Sequence, residues 1–198
     1  MRKEKLEELH NYINELKIIK RELLESYNNS YIKVEHYNCL LNNGITIVRD
    51  KIIKGKSNGN AVITLPVTKD NEFLLVVQPR IVKEGVLVEF PAGYIEDRED
   101  PLVSAERELL EETGYYSDNF KYLDTFYQDQ GCSEACNHAY LALNCEKIKE
   151  QNLDKDEFVR YFLCNYDEVL ELVKMGYIKD IQSKYALELS KKYIKEMR

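Results

Sequence analysis

Three glutamates, Glu108, Glu111 and Glu112, crowd into the run Arg107-Glu108-Leu109-Leu110-Glu111-Glu112. At about 100° per residue on a helix they fall within roughly a 100° arc of its surface. Like charges at spacings of three and four repel and raise one another's pKa, so such a cluster weakens an isolated helix. A divalent cation reverses that sign. Carboxylate oxygens suit hard Mg²⁺, with Mn²⁺ the alternative, and Mg²⁺ commonly bridges to substrate phosphates. On charge alone the cluster also reads as a solvated acidic face.

The elements that must position these residues follow from punctuation. Asp100 is a natural N-cap, Pro101 fits the first helical position and Gly114 supplies a stop, which predicts a helix over residues 101–113. Ala105, Leu109, Leu102, Leu110 and Val103 are expected opposite the carboxylates, interrupted by Glu106, so that the helix buries an apolar face and presents the acids. Before it, Pro91-Ala92-Gly93 ends a strand and an acidic loop, Glu96 to Asp100, follows. Short β-branched and aromatic runs predict strands at 31–37, 45–53, 61–67, 73–77, 86–90, 122–127, 137–144 and 158–164, with hairpin turns at Asn42-Asn43-Gly44 and Lys69-Asp70-Asn71. Helices are predicted over 167–175, stopped by Gly176, and from Ser183 to the end. Strands around a central helix make an α+β domain.

Residues 3–26 contain no Gly or Pro, and Leu6, Leu9, Ile13, Leu16 and Leu23 recur at helical spacing. This amphipathic helix, set off as a segment over 1–30 ahead of a domain over 31–198, is either a dimer-forming arm or a helix packed on its own domain.

A net charge of −7 argues against a general nucleic-acid binder, which needs Lys and Arg to release counterions. Small phosphorylated ligands stay open, because a metal can supply positive charge locally. No run approaches the roughly 20 apolar residues that cross a bilayer, and the Lys/Glu-rich start lacks a signal peptide's apolar stretch, so a cytoplasmic protein is expected. Five cysteines are odd in number and sparse, and are read as reduced. Cys132-x3-Cys136-x-His138 has a metal-like look, but no second pair accompanies it and ordinary thiols are the reading.

Gly93, five residues, Glu99, seven residues, Arg107-Glu108-Leu109, one residue, Glu111-Glu112, one residue, then Gly114-Tyr115 matches every specified position of the pattern G-x5-E-x7-R-E-U-x-E-E-x-G-U. The chain thereby resembles the Nudix hydrolases. The resemblance implies an α/β/α sandwich with a mixed sheet, Mg²⁺ held by Glu108 and Glu112 with help from Glu111 and the carbonyl of Ala92, and Arg107 and Glu99 orienting the carboxylates. Features outside the box resemble the ADP-ribose pyrophosphatase branch: Gln78-Pro79-Arg80, Glu89-Phe90-Pro91-Ala92-Gly93, the acidic segment Asp156-Glu157-Phe158-Val159, and Gly176 to Asp180. Arg80 would contact phosphate, Glu89 would approach the polar part of the ligand and the Gln130 to Glu134 loop, with Gly131 and Glu134, would border the pocket, while stacking on the base would come from Tyr or Phe or from a cation such as Arg49. Glu157, or its neighbour Asp156, would be the general base or an additional metal ligand. A homodimer with sites shared between subunits is also implied.

This chain departs from the branch in carrying Asp129-Gln130-Gly131 for its usual Ser-Pro-Gly, and in having no Trp. The reaction expected is attack of water on one phosphorus of a diphosphate, with ADP-ribose giving AMP and ribose 5-phosphate. Another nucleotide sugar, FAD or a dinucleotide is the alternative substrate. The rival in a different class is a Nudix-fold sensor without turnover; such sensors lose box glutamates and add a DNA-binding domain, whereas this box is intact.

Overall fold

The computed structural model describes residues 3–16, 31–40, 46–55 and 57–197. The chain runs α1 (Lys3–Leu16), β1 (Ile32–Leu40), β2 (Thr46–Lys54), β3 (Ala61–Thr68), β4 (Phe73–Pro79), β5 (Val86–Glu89), β6 (Ala92–Tyr94), α2 (Pro101–Thr113), β7 (Tyr115–Tyr116), β8 (Asn119–Tyr127), β9 (Cys136–Lys147), β10 (Arg160–Cys164), α3 (Tyr166–Met175) and α4 (Ile181–Met197). The turn at Asn42-Asn43-Gly44 and the second half of the predicted first helix lie outside the described residues.

Among the described residues β1 and β2 pair with each other, as an antiparallel ribbon, and the Ile52 amide donates to the Cys132 carbonyl. The remaining strands form a mixed sheet in which β10, β4, β3, β9 and β7 lie in that order, with β5 added to β4, β6 to β3 and β8 to β9. The β3–β9 pair is parallel and the others are antiparallel. The β3–β4 connection turns where the sequence places it, with Asn71 at φ 59°. Asn and Asp tolerate that left-handed region better than other side chains.

Alternation along the strands sorts the core into two layers. Ile63, Leu65 and Val67 of β3, with Phe73, Leu75 and Val77 of β4, pack against Leu9, Val169, Leu172, Ile178, Ala186, Leu187 and Ile194 from the α1, α3 and α4 side. The other face sets Val62, Tyr140, Leu74 and Ala142 against Ala105 and Leu109 of α2. The result is the α+β, three-layer arrangement expected from the sequence.

The first helix spends its apolar stripe within this chain as far as Leu16. Leu9 has no exposed surface, and Tyr12, Ile13 and Leu16 pack on the same core. Lys5 adds an ion pair to Glu72 at 3.2 Å and to the buried Glu168 at 3.0 Å, so the helix is also fixed in rotation. Leu9→Ala should lower the free energy of unfolding by about 2–4 kcal/mol in a urea titration, with the exposed Val103→Ala close to neutral. A neutral Leu9→Ala would mean that the helix is not part of the core.

Candidate active site

α2 is built as its punctuation requires. Asp100 Oδ1 accepts from the Leu102 amide at 2.8 Å, Pro101 follows, and Gly114 ends the helix at φ 76°. A side chain at Gly114 would also strike the carbonyl oxygen of Lys149, 2.1 Å from an ideal Cβ.

The expected division of the helix into an apolar face and an opposite acidic face needs correction. Ser104, Ala105, Leu109, Glu112 and Thr113 are the buried positions, while Leu102 and Val103 are exposed. Around the helix Glu112 lies between Ala105 and Glu108. Glu112 and Glu108 thus continue the buried face, because this edge of α2 meets β6; Pro91-Ala92-Gly93 does not end a strand as expected but leads into this one.

Glu112 is 3% exposed and accepts from the Ala92 amide at 3.1 Å. Glu108 lies directly over Gly93: a Cβ there would stand 2.0 Å from its carboxyl carbon, so only glycine lets the two meet. Arg107 binds the rest together. Its Nε and Nη2 donate to the two oxygens of Glu99 at 2.9 Å each, its Nη1 to Glu108 at 2.6 Å and Glu111 at 3.1 Å, and its Nη2 also to the Tyr94 carbonyl at 3.1 Å.

The electrostatics separate these groups. Arg107 holds Glu99 down to about 2. Burial pushes Glu108 up to about 7 even with Arg107 beside it. Burial, and then the neighbouring Glu108, drive Glu112 well above the ordinary carboxylate range. One buried and one largely covered carboxylate that repel each other fit a site completed by a divalent cation, and an all-oxygen donor set suits a hard one. Among the described residues no three such side chains are already drawn into a metal-holding cage; Glu108 and Glu111 lean on Arg107 instead.

A second cluster adjoins the first. Arg80 grips Glu89 in two parallel hydrogen bonds of 2.9 and 2.7 Å, and Gln78 adds one of 3.2 Å. Glu89 is 7% exposed, and the charges of Arg80 and Glu112 act on each other. Glu157 sits at the turn before β10, its carboxylate accepting from the Asp154 amide at 3.2 Å, and its charge bears on both Glu108 and Glu112.

Arg49, Gly131 and Glu134 lie apart from these clusters within the described residues. Arg49 is on the exposed ribbon opposite Tyr37, bonded to the Val48 carbonyl. Gly131 donates to Asp129, and Glu134 pairs with Lys51 of the ribbon. Cys132 donates to Asp129, Cys136 to the Glu134 carbonyl, and His138 shares a hydrogen bond with Thr125, so the three do not converge.

Sequence reasoning missed several neighbours. Asp180 caps α4 through the Ser183 amide at 2.6 Å, and Ser183 accepts from the Phe90 amide, locking the strand that carries Glu89. The Asp-x-x-Ser spacing was the available signal, and it also explains why α4 starts at Ile181. Tyr31 donates to Tyr94 at 2.6 Å, and its hydroxyl feels Arg80.

Because Glu108 keeps its proton up to about 7 when folded, against about 4.3 for an unfolded glutamate, the folded state binds more protons between those values. The stability that Glu108 contributes in EDTA is therefore fully present below about pH 4.3 and is lost as pH rises through about 7. Glu108→Gln should flatten that fall in melting temperature between about pH 5.5 and pH 8. An unchanged slope would contradict the assignment.

Comparison with known proteins agrees with this geometry. The NUDIX domain matches residues 57–183. The methanol dehydrogenase activator of Bacillus methanolicus is 33% identical over 175 residues, covering 88% of this chain and 91% of its own. The ADP-ribose pyrophosphatase of Bacillus subtilis (strain 168) is 35% identical over 129 residues, 65% of this chain and 70% of its own. A solved ADP compounds hydrolase shares the fold at a TM-score of 0.74 and 19% identity, over 87% of this chain and 91% of that one. The chain belongs to the NUDIX domain family and is a hydrolase of phosphoric anhydride bonds.

Proposed function

We propose that this protein hydrolyses ADP-ribose to AMP and ribose 5-phosphate in a Mg²⁺-dependent reaction. The observation that carries the substrate reading is the Arg80–Glu89 clamp beside Glu112. A planar guanidinium fixed through Nε and Nη2 keeps its orientation, and such a group matches phosphate oxygens. The pyrophosphatase relatives carry ADP-ribose in their names and support the same choice.

Glu108, Glu112, Glu111 and the Ala92 carbonyl would hold Mg²⁺, with Mn²⁺ as a substitute. When bound, the cation neutralises diphosphate charge and lowers the pKa of water. The chain's own groups supply the remainder. Arg80 holds a phosphate oxygen, Arg107 and Glu99 keep the carboxylates aimed, and Glu157 takes the proton from the attacking water as the bond to the leaving phosphate breaks.

A homodimer completes the proposal. The ribbon supports it better than α1 does, because Val34, Tyr37 and Val48 are exposed on strands that pair with no third strand among the described residues. In such a dimer Arg49, which stands on that ribbon, would reach the second copy's site. Light scattering should give twice the chain mass for the full chain, and Val34→Glu with Val48→Glu should give monomers; a monomeric full chain would reject the dimer.

Glu108→Gln and Glu112→Gln should each cut kcat at least about a hundredfold while circular dichroism is unchanged. Arg80→Ala would strand the buried Glu89, so Arg80→Lys is the sharper test: KM for ADP-ribose should rise about tenfold, the loss of one charge-assisted hydrogen bond. With ADP-ribose, a nucleotide sugar, FAD, a dinucleotide and a nucleoside triphosphate at equal concentrations, AMP from ADP-ribose should appear first. Faster consumption of another compound would change the substrate and leave the carboxylate site standing.

A further inference from the structure

The segment that carries Glu157 is tied to α2 in an unusual way. Its start is held by backbone: Ile148 donates to the Gly114 carbonyl at 3.0 Å, and Asn152 to the Glu111 carbonyl at 2.9 Å. Its far end runs into β10, whose Arg160 pairs with Val77 of β4, and is tied to α2 by one side chain. The Gln151 amide nitrogen donates to the Glu112 carbonyl at 2.5 Å and to the Val159 carbonyl at 3.3 Å.

A primary amide has two protons, and both are used here, one on each side of the gap. The bridge closes residues 151–159 into a short loop whose two ends meet at the last turn of the catalytic helix. Glu157 stands two residues before the bridged Val159, which is itself buried at 2% exposure. The turn is otherwise held by its own contacts, the Glu157 amide on the Asp154 carbonyl at 3.0 Å and the Asp154 amide on the Glu157 carboxylate. Those fix its shape; where it stands is set by its anchors, the Asn152 amide and the β10 ladder at either end and the Gln151 bridge that ties both to α2.

We propose that Gln151 is the positioning residue of the reaction: its amide, bridging the Glu112 and Val159 carbonyls, sets the distance between Glu157 and the Glu108–Glu112 pair. This rests on the reading of Glu157 as the base. No neighbouring chemistry substitutes for the amide. Glutamate at 151 would turn a carboxylate toward two carbonyl oxygens, methionine has the length without the donors, and asparagine is one methylene short of the span. A base displaced by about an ångström loses much of its effect on rate while substrate binding, which runs through Arg80, is untouched.

The test uses the full chain with Mg²⁺ and ADP-ribose, or whichever diphosphate compound the competition assay selects. Gln151→Met should lower kcat about tenfold or more with KM within about twofold, and hydrogen exchange should quicken at residues 153–158 while α2 keeps its protection. In a Glu157→Gln background the same change should cost nothing further, because the group being positioned is gone. Equal fractional losses in both backgrounds, or unaltered exchange at 153–158, would overturn the proposal. So would normal kcat in Gln151→Met when Glu157→Gln is impaired. Full activity in Glu157→Gln would instead remove the base reading, and the positioning role with it.

Discussion

Everything at the site depends on carboxylates being held where water barely reaches. Burying an ionised carboxylate is costly unless something compensates, and one backbone amide and a shared arginine do so incompletely for Glu112 and Glu108. Removing water from these groups drives protons onto them and makes the position hungry for positive charge. The fold enforces it sterically, since Gly93 has no side chain to hold Glu108 off and β6 brings the Ala92 amide to Glu112. A metal site of this kind is stored strain in electrostatic form, carried by the packing of Ala105 and Leu109 on the sheet.

The two acidic ion-pair systems divide the labour. Arg107 with Glu99 is an internal brace, since its guanidinium is consumed by Glu99, Glu108, Glu111 and the Tyr94 carbonyl. Arg80 with Glu89 leaves an edge of the guanidinium over, next to the carboxylates. A brace keeps ligands in register, and a half-used arginine offers itself to an anion. The same residue type therefore does two jobs, and the number of its nitrogens already engaged tells them apart.

The motif spacing was legible because local rules generate it: an N-cap, a first-turn proline, helical periodicity and a glycine stop are all written within Asp100 to Gly114. Strand positions in the core were equally readable, since alternation and β-branching report two buried faces. Three things were not. The inward roll of the acidic edge depends on Ala92 and Gly93 arriving from another strand, which helix periodicity cannot see. The engagement of Leu9 with the core, rather than with a partner, depends on a cluster of residues from β3, β4, α3 and α4 that only the folded chain assembles. Gln151 carries no sequence signal, because its role comes from two carbonyls that only the folded chain places within reach of one amide.

The most direct measurement of the central claim, that buried carboxylates at Glu108 and Glu112 form the cation site, is calorimetric titration with Mn²⁺ at about pH 6.5 in buffers of different ionisation enthalpy. Cation binding must displace the protons that burial has placed on these groups, so heat should vary with buffer and report proton release, and Glu112→Gln should lose the binding. Unchanged affinity in Glu112→Gln, or binding without proton release, would contradict the account.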